Sequence, residues 1–406
     1  MVPYLQSPVS VGDNPCTTSC TSDNCRLLQN LSCAAAKNQL SVVVNVAMGV
    51  PCSHPLDDEE ETEEEKEKEA SSSSCPPDGM HHYNSNVALS KDGDVLAVYH
   101  KTHLYFEPAF DSGKGDSVIF VIDDWRIGLA VCFDIWFARP VGNMVDAKAI
   151  DILALPMWWV NFPPLITALS SQLAFATASN INLLAANSGA SSYNSGSGIY
   201  QHSQALGVTQ TLKLYNPAGT HHVITEKLND DIVEVEEKNQ KMIPLQDDKG
   251  RQTSPTCNST VPFTLPGNGT AIEVNTHAGD VSCKVTIEGQ GQGALFALEG
   301  WYNGILPMRI CSVVSCTDGI CGQGSDSWSS SMLINHVALE GNFSLDNTII
   351  FPMHLLDQGE LVPVRDFTAP KVAPIQWEPH LESVPQSLMS LTLWGRVYNE
   401  PSAVLV

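Results

Sequence analysis

The stretch Ile127-Gly-Leu-Ala-Val-Cys-Phe-Asp134 decides how this 406-residue chain is read. It runs uncharged to Phe133 and stops at an aspartate, the pattern of a short strand buried on both faces. Cys132 stands where that strand ends and the chain must turn. At such a place, close to the next helix start, backbone N–H groups can hold an oxyanion. A thiol there is either an inert buried cysteine or a nucleophile.

Upstream, Leu40–Met48 (LSVVVNVAM) reads as a buried strand. Val87–Leu89 and Val95–His100 read as a hairpin around the turn Lys91-Asp92-Gly93-Asp94, and Val118–Ile122 as a further strand. Downstream, Ile152–Leu155 and Asn182–Ala186 read as strands. Between them a helix is predicted over 165–178, with Leu165, Leu169 and Leu173 four apart behind Pro163 and Pro164. This alternation predicts an α/β domain over residues 1–228. Residues 229–256 are charged and polar and suit a linker or long loop. From Cys257 onward, short apolar runs are separated by glycine and turn residues: Leu295–Leu298, Ile310–Val314, Met332–Leu339, Thr348–Leu355 and Leu388–Tyr398. They predict a smaller β-rich domain over 257–406.

Composition narrows the function classes. At 43% hydrophobic and 16% charged residues the chain can bury a core, and a net charge of −24 argues against nucleic acid or an anionic membrane as partner. Ten acids and two lysines crowd the run Asp57–Glu69, with Ser71–Ser74 just after, so 53–74 is expected to be a disordered surface insertion. A calcium-binding or partner-binding tail is the alternative, but the run lacks the spaced ligands of an EF-hand loop. No stretch of 18 apolar residues predicts a membrane span.

Twelve cysteines, with N-x-S/T sequons at Asn30, Asn258, Asn268 and Asn342, point to a secreted, disulfide-bonded glycoprotein. The C-x3-C-x4-C and C-x4-C-x4-C spacings do not match zinc-site pairs, so disulfides rather than metal are expected. Against this, the residues after Met1 show no basic segment followed by an apolar one, the form of a signal peptide.

A thiol has an ordinary pKa of about 8.5 and needs a neighbouring cation or base to attack at neutral pH. Lys101 follows the hairpin strand, in Tyr99-His100-Lys101-Thr102-His103-Leu104-Tyr105-Phe106-Glu107. His100 and His103 offer a rival Cys–His pair.

Several motifs, in order along nearly the whole chain, carry a resemblance. They are Tyr99-His100-Lys101 with Leu104–Glu107, Cys132-Phe133-Asp134-Ile135 with Phe137, Pro156 with Trp159-Val160-Asn161, Ala185-Ala186-Asn187 and Gly196–Ile199. Asn14-Pro15-Cys16, Leu31-Ser32-Cys33, Pro51-Cys52, Pro77-Asp78-Gly79, Arg309-Ile310-Cys311 and Leu393–Tyr398 extend them. Together they resemble the vanin (pantetheinase) and biotinidase branch of the nitrilase superfamily.

The resemblance implies an α-β-β-α sandwich followed by a β-rich C-terminal domain. It implies hydrolysis of a linear, non-peptide amide by a Glu–Lys–Cys triad, without metal or organic cofactor. Cys132 matches the nucleophile and Lys101 the lysine that supports the oxyanion and the leaving amine. The N–H of Phe133 is the implied second oxyanion donor, and Trp159 an implied substrate contact. Glu107 matches an auxiliary glutamate beside the lysine. The family's base glutamate lies upstream of the part resembling Tyr4–Cys16, and no residue here matches it. The expectation is therefore a sandwich lacking its N-terminal segment, export signal included, and a chain nearly inactive in this form; a non-catalytic secreted glycoprotein is the alternative. Cys52 and Cys75 match a family loop pair stretched by the acidic insertion. Gly196–Tyr200 is closer to the vanin form, which favours pantetheine over biotin amides. Trp158 and Trp159 beside the nucleophile either shape the pocket or pack in the core.

Overall fold

The computed structural model describes residues 5–52, 75–162, 165–188, 192–209, 226–228, 257–302, 306–317, 320–321, 330–357, 360–364, 367, 372–381 and 385–398. The acidic insertion 53–74 and the linker expected over 229–256 lie outside the described residues. The chain divides into two compact units, one ending at Ile122 and one beginning at Asp123.

In the first unit, strands β1 (Val42–Pro51), β2 (Met80–Leu89) and β3 (Val95–His100) form an antiparallel sheet in that order. Helix α1 (Asp23–Asn38) buries Leu28 and Ala35 against Val46, Met48, Val87, Leu89 and Val95 of the sheet. The sequence reading placed no helix there, because only Leu27, Leu28 and Leu31 among its sixteen residues are large and aliphatic. Two disulfides anchor this end, Cys16–Cys33 and Cys20–Cys25. A third, Cys52–Cys75, lies just past the last β1–β2 pair, Pro51 opposite Met80. It is the pairing the resemblance implied. A short strand, β4 (Ile119–Ile122), ends the unit.

The second unit opens with β5 (Trp125–Leu129), β6 (Ile152–Met157) and β7 (Asn182–Asn187), paired in parallel, followed by antiparallel β8 (Ser197–Gln201) and β9 (Gln204–Thr209). The strand expected to run to Phe133 stops at Leu129; a turn of 3₁₀ helix takes over at Cys132–Trp136. Helix α2 (Ala168–Ser179) starts three residues later than predicted. Thr167 caps it, its hydroxyl accepting the Ser170 N–H. Nearly every α2 residue is buried, which requires cover on all sides.

Part of that cover is the β-rich C-terminal region. It comprises β10 (Cys257–Pro266), β11 (Ile272–Ala278), β12 (Val281–Tyr302), β13 (Leu306–Thr317), β14 (Ile320–Cys321), β15 (Leu333–Asn342), β16 (Thr348–Leu356), β17 (Ile375–Trp377) and β18 (Gln386–Val397). Long β12 pairs with β11 and β15 in its first half and with β10 and β13 in its second. The exchange of partners falls at Gly289-Gln-Gly-Gln-Gly293. A Cβ at Gly289 would collide with the Leu333 carbonyl, and Gly291 has φ +111°. All nine residues of β16 are buried, and the strand packs on α2. Disulfides Cys283–Cys311 and Cys316–Cys321 cross this region. Among the described residues, no helix is long and apolar enough to cross a membrane.

Candidate active site

Strands β5, β6 and β7 are in register, with Ile127 level with Ile152 and Ile152 level with Asn182. Counting five residues along each brings Cys132, Met157 and Asn187 to the same carboxyl edge of the parallel sheet. In open α/β sheets this is where ligands bind.

Among the described residues, Cys132 lies outside the five disulfides, and it is partly accessible. Its φ is +50°, a left-handed conformation that costs a non-glycine residue about 1–2 kcal/mol. Such outliers persist where surrounding structure over-determines them. Asp134 supplies part of that restraint. Its Oδ2 accepts the Val131 N–H at 2.9 Å, and its own N–H reaches the Val131 carbonyl at 3.1 Å. The buried Phe133 ring packs edge-on to Phe137, 5.1 Å away. The sequence reading quoted Asp134 only as part of a motif. A carboxylate two residues beyond a strand-end thiol was the available signal.

From the end of β6, Trp159 is buried, its ring 6.0 Å from that of Trp136, and its N–H donates to Asn187 Oδ1 at 2.9 Å. Asn161 is also buried. It accepts the Ala168 N–H at 2.7 Å and donates to the Ser195 carbonyl at 2.9 Å, tying this edge to the start of α2. Trp158, by contrast, is 69% exposed and does not pack in the core. Phe162 and Tyr193 are also exposed.

Lys101 and Glu107 are brought together in the first unit. Lys101 is 1% exposed and its Nζ pairs with Glu107 Oε1. The other carboxylate oxygen accepts from Asn84 Nδ2 at 2.8 Å, and Asn84 in turn accepts from Asn45 at 2.7 Å. Gly113 lets the chain close over this corner, since a Cβ there would collide with the His100 carbonyl; its N–H bonds to the Lys101 carbonyl at 2.8 Å. The asparagine ladder escaped the sequence reading, although Asn84-Ser85-Asn86 is a polar run directly ahead of the apolar Val87-Ala88-Leu89. His100, one of the rival bases, is engaged within the same unit. It bonds to Ser85 Oγ at 2.7 Å and stacks on Tyr83 at 4.2 Å, and burial holds its imidazole below the usual range.

All four sequon asparagines are exposed. Among the described residues no cluster of His, Cys, Asp or Glu has the makings of a metal site.

Two family descriptions match this sequence: carbon–nitrogen hydrolase over residues 11–162 and the vanin C-terminal domain over 256–401. A biotinidase of Bos taurus is 28% identical over 97% of this chain and 78% of its own length. A biotinidase of Takifugu rubripes is 34% identical over 50% of this chain, and pantetheine hydrolase VNN2 of Homo sapiens is 34% identical over 49%. Those two alignments span only 40% and 36% of the relatives' lengths. The fold is α/β with a separate β-rich C-terminal region, and the candidate site residues fall within the span matched to carbon–nitrogen hydrolase. The chain belongs to the vanin and biotinidase branch of the nitrilase superfamily.

Proposed function

We propose that this protein hydrolyses linear, non-peptide amides through a thioester on Cys132, with pantetheine as the preferred substrate. One observation carries the reading: a thiol outside the disulfides of the described residues is held at a left-handed φ on the carboxyl edge of a parallel sheet. The sulfur attacks the amide carbon and a C–S bond forms. The carbonyl oxygen becomes an oxyanion, for which the family resemblance implies the Phe133 N–H and the Lys101 ammonium as partners. The C–N bond breaks and the amine leaves with the thiol's proton. Water then cleaves the thioester, giving the carboxylic acid and returning a proton to sulfur. Glu107 pairs with Lys101 and orients it. It is not assigned the role of general base, because its two oxygens are taken by Lys101 and Asn84.

Pantetheine is favoured over biotin amides by the vanin-like run Gly196–Tyr200. Five disulfides and four exposed sequon asparagines support an extracellular glycoprotein. The test is to incubate the protein with pantetheine or with biotinyl-lysine and measure released cysteamine or lysine. Release from pantetheine that disappears in Cys132→Ala is expected. Preferential release from the biotin amide would move the substrate assignment. Release that survives Cys132→Ala would overturn the mechanism.

A further inference from the structure

The 3₁₀ turn that begins at Cys132 ends at Trp136, and what holds that far end comes from the C-terminal β-rich region. On β18, Trp394 and Arg396 are two residues apart and share one face of the strand. The Trp394 ring stacks on Trp136 with centroids 5.3 Å apart and planes 14° from parallel. Phe351, opposite Trp394 on β16, meets the same indole edge-on at 4.9 Å. The Arg396 Nε donates to the Trp136 carbonyl at 3.2 Å. Its Nη1 donates to the carbonyls of Pro307, at 3.3 Å, and Val397. The guanidinium also faces the rings of Phe137 and Tyr398, 5.8 and 4.8 Å away.

Arg396 is fully buried, and its charge cannot be relieved by deprotonation. A charge in such a place is held by oriented carbonyl dipoles, and a helical turn directs carbonyls outward at its C-terminal end. Five 3₁₀ residues rise about 2 Å each, so a group bonded to Trp136 stands roughly 8–10 Å along the turn from Cys132. That is too far for contact with a reacting amide. The influence of Arg396 must pass through the backbone of the turn.

We infer that Arg396, with Trp394 stacked beside it, is a positioning residue for the nucleophile: the C-terminal β-rich region clamps the far end of the 3₁₀ turn and so maintains the left-handed Cys132 and the aim of the Phe133 N–H. Asp134 restrains the near end of the turn and Arg396 the far end. The inference rests on the proposed thioester chemistry for its effect on rate, while the clamp itself is a statement about the backbone. It gives the C-terminal region a part in catalysis, although no residue of that region has been assigned to the reaction.

The experiment uses the full chain with Arg396→Met and Arg396→Lys, each studied where circular dichroism shows it folded. Three quantities are read: amide hydrogen exchange of the peptide covering 132–137, kcat and KM on pantetheine, and the pH profile of Cys132 alkylation by iodoacetamide. In Arg396→Met, exchange of that peptide is expected to rise about 10-fold or more. kcat should fall about 10–100-fold with KM nearly unchanged, as for a sub-ångström to ångström misplacement of a reacting group. The alkylation profile should shift. Arg396→Lys keeps the charge and one donor and should recover part of all three. If Arg396→Met does not fold, Arg396→Lys alone decides, with an expected loss of kcat of about 3–10-fold. Wild-type exchange and wild-type kcat in a folded variant would overturn the clamp, as would a lysine variant no better than methionine. A wild-type chain without turnover, whose 132–137 peptide is protected and is loosened by Arg396→Met, would refute the proposed function and leave the clamp standing.

Discussion

The lysine and the cysteine are held by different physics. Lys101 is fixed by charge: a buried ammonium, a carboxylate against it and a chain of asparagine side chains behind. Cys132 is fixed by backbone: a left-handed residue, a carboxylate bonded to the preceding peptide N–H and a stack of indoles at the end of its turn. The first arrangement answers to anything that changes charge. The second answers to anything that relaxes a turn. A nucleophile gains from the second kind of support, since aim matters more than potential at the attacking atom. An oxyanion partner gains from the first.

The largest expected effect is at the sulfur. Cys132→Ala should lower pantetheine hydrolysis by more than about 10³-fold with the melting temperature nearly unchanged, measured by cysteamine release and calorimetry. Next comes the charged pair. Glu107→Gln leaves the Lys101 ammonium buried without that carboxylate and should cost about 3–5 kcal/mol in urea unfolding, with a loss of turnover. A variant as stable as wild type would show that charge does not fix this lysine.

Acid should act on the second unit through His354, buried on β16. Its imidazole is held at about 4 by burial, the Val362 N–H donating to its Nε2. The unfolded chain takes up this proton near 6.5, the folded chain only near 4, so stability falls as pH drops from 6.5 to 4 and levels off below. The span amounts to about 3 kcal/mol, and replacing His354 by Gln should remove that part of the pH dependence of unfolding. The smallest effect is expected at Asp134→Ala. It leaves the Val131 N–H without its acceptor, costing about 2 kcal/mol, and should slow turnover without altering KM. A variant that loses stability but keeps kcat would mean that the left-handed cysteine needs no such restraint.

Much of the fold was legible because its strands are local. The runs at Leu40–Met48, Val95–His100, Ile152–Leu155 and Thr348–Leu355 all became strands within a few residues of the expected limits. The position of the strand-end thiol was legible for the same reason, an apolar run ending in Cys132. What the sequence hid is what distant segments do to each other. Lys101 looks like a surface residue until Gly113 closes over it. Helix α1 carries too few large aliphatic residues to announce itself, since much of its burial comes from serine and alanine. Arg396 lies 260 positions from the carbonyl it holds, and no local pattern marks it. Trp158 and Trp159 are neighbours just past the end of β6, one exposed and one buried, and no local pattern distinguishes them.

Cys52 and Cys75 have one further consequence. Their Cα atoms stand 6.0 Å apart, directly after the final rung of the β1–β2 ladder, where the Cys52 N–H also bonds to the Gly79 carbonyl at 3.0 Å. A covalent staple there makes the hairpin indifferent to the length and composition of what is spliced between its arms. Peptide tags, protease sites or a reporter domain could be grafted into that span, leaving Lys101 and its neighbours unaware of the cargo.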